Sequence, residues 1–147
     1  MKDYDTIFME NIKQIGALLE KMDFSSCFKC SMSLTNFCTY IEHSEYVFIC
    51  EVLEGVFSQV GPIVDNIELP EEEIREFMPK MQTSYNNMVI AIERKNKTEL
   101  FDSLISIRFI ATLFQLKWKK IGKSKPTKKG MPIPPPIEEM MKKMLVR

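Results

Sequence analysis

Apolar residues return every three to four positions over the first 121 residues of this 147-residue chain, and no stretch alternates apolar with polar residues for long. That period confines the body to helices, because a half-buried strand needs a period of two. Tyr4, Phe8, Ile15, Leu18, Leu19 and Met22 fall on one face of a first helix. A second is predicted from about Ser25 to Tyr40 or Ile41, and a third from about Glu45 to Val60, where Gly61 and Pro62 should stop it. The tetrapeptide EHSE (42–45) between them fits either a break or one long helix.

Pro70 suits the first turn of a fourth helix, with Glu71, Glu72 and Glu73 at the positive end of its dipole. Its apolar stripe is Ile74, Phe77, Met78, Met81, Tyr85, Met88, Val89 and Ile92. The phase passes Pro79 without a slip, so a kink is expected there rather than two helices. Thr98 is the expected cap of a fifth helix ending near Ile121. Leu100, Leu104, Ile107, Ala111, Phe114, Trp118 and Ile121 line one side of it, and Ile105, Phe109, Leu113 and Leu116 make the other side apolar too. A helix apolar all round is either central to its bundle or part of an oligomer interface. Arg108 interrupts this helix; its stem is expected to pack while its head reaches water, the alternative being a paired charge at an interface.

Residues 19–34 and 92–107 align when one is shifted by 73 positions: Glu20 meets Glu93, Asp23 meets Asn96, Ser25 meets Thr98 and Phe28 meets Phe101. Each reads as helix end, polar turn, Ser/Thr cap and next helix, which a duplicated αα-hairpin or convergent turn chemistry would both produce. The expected fold is therefore all-α: an up-down antiparallel helical bundle of about five helices in residues 1–122. A Lys/Pro-rich linker (123–136) and a tethered C-terminal amphipathic helix (137–147) follow.

The motif CFKC (27–30) is the one stretch that resembles reactive chemistry. In the alignment Cys27 takes the place of Leu100, and Cys27, Cys30, Leu34, Cys38 and Ile41 share a helical face, so the thiols are expected to act as small buried hydrophobes. A zinc site from Cys27, Cys30, Cys38 and His43 needs four ligands about one point, and Cys38 lies ~12 Å beyond Cys30 on a continuous helix. A redox role would use a thiolate at the helix start, but no βαβ pattern surrounds the motif. His43 is the sole histidine, and no nucleophile elbow, Glu-x-x-His pair or phosphate-cradling glycine loop is present. No enzyme activity and no cofactor or metal is expected.

Charge is balanced at zero, yet the seven lysines Lys117, Lys119, Lys120, Lys123, Lys125, Lys128 and Lys129 lie within 14 residues that hold no acid. They could touch phosphates in a sequence-blind manner, which keeps a nucleic-acid accessory role as an alternative. The PIPPP run (132–136) favours an extended spacer. Beyond it Ile137, Met140, Met141, Met144 and Leu145 form one face of a short helix, with Glu139, Lys142 and Lys143 opposite. A helix so short is marginal alone and wants a groove: on its own bundle, on a second copy as in a homodimer, or on another protein. The expected function is a protein-interaction module such as an adaptor, assembly factor or helical chaperone. Four cysteines behind an acidic N-terminus suggest reduced thiols and a cytoplasmic location. No uncharged run exceeds 12 residues, as in Met81 to Ile92, so no membrane span is expected.

Overall fold

The structure is a computed structural model and describes residues 3–122. Among these residues 88% are helical and none is in a strand. The helices are α1 (Tyr4–Glu20), α2 (Phe24–Tyr40), α3 (Ser44–Asn66), α4 (Glu71–Glu93) and α5 (Lys97–Gly122).

Three of the four connections are one and the same tight turn. After α1 the amides of Met22 and Asp23 return to the carbonyls of Leu19 and Leu18; after α2 those of Glu42 and His43 return to Thr39 and Cys38; after α4 those of Lys95 and Asn96 return to Ile92 and Ala91. This paired closure satisfies the last carbonyls of each helix and places its penultimate residue in the left-handed region. That residue is Met22 (φ 58°), Glu42 (φ 57°) or Lys95 (φ 55°). The next residue at once caps the following helix: Asp23 accepts from the Ser26 amide, His43 Nδ1 from Tyr46 and Asn96 from Glu99. The caps are thus Asp23 and Asn96, not Ser25 and Thr98. A side chain must precede the first helical amides to meet them, and the Schellman closure leaves only the last turn residue in that place. The same geometry at Ile41–His43, outside the two segments aligned by the 73-position shift, shows that turn chemistry by itself can produce it. The EHSE segment is a break, and His43 is its cap.

Pro62 does not end α3, which continues to Asn66; Ile67 is the first extended residue (φ −123°, ψ 135°). The missing proline donor falls opposite Ser58, on the exposed side, where water can take the carbonyl. Burial on the inner side keeps the helix going, since Val60, Gly61, Ile63 and then Ile67 all face the core. α4 likewise passes Pro79 without interruption.

The main contacts close the helices into a ring, α1–α2–α3–α5–α4–α1. Neighbours joined by a tight turn must run antiparallel, and so do α1 and α4. A ring of five cannot alternate all the way round, and α3 with α5 is the pair left parallel: Glu45 meets Lys97 at one end and Gln59 meets Gln115 further along. The centre is filled by fully buried side chains from the ring, including Phe8, Ile12, Ile49, Leu53, Met88 and Ile107. Tyr85 reaches from α4 to the neighbouring α1 and donates to the Ile12 carbonyl at 2.6 Å, passing close to Gly16. By length and composition α3 is apolar enough to cross a membrane. In the bundle, nine of its residues belong to the buried interior.

Candidate functional site

The core uses only one face of α5. Leu100, Leu104, Ile107, Ala111, Phe114 and Trp118 point inward, as their spacing predicts. The opposite face carries Phe101, Ile105, Phe109, Leu113 and Leu116, each between 45% and 65% exposed. Their spacing of four, four, four and three residues sets them in one stripe ~22 Å long at 1.5 Å per residue. α5 is therefore a member of the ring's wall with a second apolar face left to solvent, not a central helix. Isolated exposed hydrophobics are ordinary, whereas a contiguous row on one helix calls for an explanation.

Each flank of the stripe has its own character. On the α3 side Phe48, 47% exposed, lies 5.9 Å from Phe101, ring centre to ring centre. Two turns along α3, Gly55 is exposed with no atom within 4 Å of where a Cβ would stand. On the α4 side a shallow cavity of about 150 Å³ is floored by Phe77, Ile110, Leu113 and Phe114 and rimmed by Glu73, Glu76, Lys80 and Lys117. That is smaller than the ~300–1,000 Å³ of a small-molecule site and suits a single side chain. Lys117 is held there by both oxygens of Glu73, at 2.6 and 2.7 Å, and this hydrogen bond raises its pKa. Arg108 is exposed beside the stripe, its head free to reach water, and Asp102 is exposed on it one and a half turns earlier; neither forms an ion pair among the described residues.

The thiols lie elsewhere, on the α2–α3 side. Cys27, Cys38 and Cys50 are fully buried and Cys30 is half-buried. The Cys27 Sγ contacts the Ile15 carbonyl at 3.6 Å. Burial, and then the nearby Asp23 carboxylate, push its pKa up to about 12; burial raises Cys38 and Cys50 as well. A thiolate is what redox and metal chemistry require, and these sites oppose its formation. α2 is continuous from Phe24 to Tyr40, so the break that a four-ligand site at Cys27, Cys30, Cys38 and His43 requires does not occur. Among the described residues no three His, Cys, Asp or Glu side chains are placed to share a metal ion. His43 is engaged as a cap and stacks on Tyr46 at 3.6 Å.

Of the lysine cluster only Lys117 has a described side chain. Lys119 and Lys120 belong to the end of α5, and Lys123, Lys125, Lys128 and Lys129 lie outside the described residues. So do the linker, Ile137, Met140, Met141, Met144 and Leu145. The stripe itself was partly legible: the sequence showed Ile105, Phe109, Leu113 and Leu116 opposite the core face, and Phe101 and Phe48 were missed because each sits next to core positions. No family model, curated protein or solved structure matches this chain.

Proposed function

We propose that this chain is a non-enzymatic protein-interaction module, an adaptor or assembly factor, whose receptor surface is the outer face of α5 with the adjoining edge of α3. The observation that carries this reading is the unbroken apolar row Phe101–Ile105–Phe109–Leu113–Leu116 on a helix whose other face already fills the core. The complementary shape is an amphipathic helix, which presents apolar side chains at the same three-to-four-residue spacing. Completing the burial of five half-exposed side chains is worth about 1 kcal/mol each, or about 5 kcal/mol before the cost of association. That supports weak, reversible binding of a free helix.

The test is affinity capture from native extract with three versions of the protein: wild type, a form lacking residues 123–147, and Ile105→Glu/Phe109→Glu. Circular dichroism first confirms that the substituted protein is folded. Proteins retained by the first two and lost from the third support the reading. An identical set retained by the substituted protein removes the stripe from the function.

A further inference from the structure

We infer that the stripe on α5 is a self-docking site, and that its resident occupant is residues 137–145 of the same chain, laid antiparallel to α5. This rests on the reading of the stripe as a helix receptor.

Position is the first argument. α5 ends at Gly122, six residues after Leu116, so the remaining chain departs from the end of the stripe itself. The 14 residues that separate Gly122 from Ile137 can span up to about 50 Å, against a stripe of about 22 Å. The segment can therefore be delivered to any point on the row. Pattern is the second. Ile137, Met140, Met141, Met144 and Leu145 recur at the spacing of one helical face. Nine helical residues cover about 13 Å, and methionine adapts to irregular ground such as the cavity beside Leu113 and the open notch at Gly55.

Charge order is the third argument and it sets the direction. Of the exposed charges on α5 that form no ion pair among the described residues, the acids Glu99 and Asp102 come first along the stripe and the base Arg108 after them. Along the tail the order is also acids first, Glu138 and Glu139, then the bases Lys142 and Lys143. Only an antiparallel arrangement sets the tail acids beside Arg108 while the tail lysines lie beside Asp102. The parallel one opposes like charges throughout. Strength is the fourth. A row of this size holds a free helix weakly, but a tether of 14 residues supplies an effective concentration in the millimolar range, enough to keep such a site filled. A partner helix must then displace the tail, which makes the tail a competitor for the module's own binding surface.

The test uses the full chain in a Cys30→Ser background, with Lys142→Cys carrying a nitroxide on the polar side of the tail. Cys27, Cys38 and Cys50 stay buried and unlabelled. Expected is loss of the Ile105, Leu113 and Leu116 methyl signals in NMR, with Leu18 of α1, across the ring, unaffected. Met140→Glu/Met144→Glu, which leaves the bundle untouched, should restore them. In a mixture of nitroxide-bearing chains with separately isotope-labelled, nitroxide-free chains, the signals should persist. Loss in the mixture would assign the stripe to a second copy and overturn docking within one chain. Persistence in every sample would overturn tail docking altogether, while the capture experiment with Ile105→Glu/Phe109→Glu decides separately whether the stripe is a receptor.

Discussion

Met22, Glu42 and Lys95 adopt a backbone conformation that side-chain-bearing residues seldom take, and each is followed by a residue that closes one helix and opens the next. The double duty of Asp23 has a measurable signature. Its carboxylate accepts from the Ser26 hydroxyl at 2.7 Å and the Ser26 amide at 3.1 Å, and these bonds hold its pKa below the usual 3.8. A depressed folded value means that its contribution to stability is complete above the ordinary carboxylate value and is lost as pH falls through the folded one. Asp23→Ala should accordingly be less stable than wild type at neutral pH, with the gap closing in acid, whereas Asp23→Asn keeps a cap throughout. Urea unfolding of the three proteins at neutral pH and at about pH 2.5 tests this. Sequence reading placed both caps two residues late because Ser25 and Thr98 are also good capping types; only the hydrogen bonds distinguish them.

At the scale of the element, two glycines inside helices should respond with opposite signs. Gly55 lies on the exposed side of α3 with open space around it, so Gly55→Ala should stabilise by about 1 kcal/mol, the difference in helix propensity. Gly16 of α1 faces the Tyr85 ring, which would stand 3.0 Å from a new Cβ and cannot retreat while it donates to the Ile12 carbonyl. Gly16→Ala should lose about 1–3 kcal/mol despite the same gain in propensity. Thermal or urea unfolding of the two variants checks both signs, and equal shifts would contradict the α1–α4 packing. Neither outcome is visible in the sequence, where the two residues look alike. Pro62 makes the same point: Gly61–Pro62 is a valid stop signal locally, but burial on the inner face of α3 overrides it.

At the scale of the whole molecule, the thiols report on the closed ring. Cys27, Cys38 and Cys50 lie inside it, and burial disfavours their reactive form. With a thiol reagent at about pH 8, Cys30 should react first and the other three only as the bundle opens. Their rate should rise with denaturant in step with unfolding, as mass spectrometry of the modified sites would show. Fast modification of Cys27 in the native protein would place CFKC back among reactive motifs.

Helix type and the identity of the core faces were determined by the sequence alone, because a 3.6-residue period leaves a chain only one way to bury its apolar side. The inward face of α5, the placing of Cys27 where Leu100 stands in the second hairpin, and the acidic start of α4 all follow from that period. The closing of the ring was decided by tertiary structure, since neither the parallel α3–α5 pair nor the pairing of α1 with α4 has any local signal. The same step decided the fate of the second apolar face of α5. Periodicity can say that Ile105, Phe109, Leu113 and Leu116 are apolar, but whether such a face is covered depends on how many neighbours the helix acquires, and in a ring each helix has two.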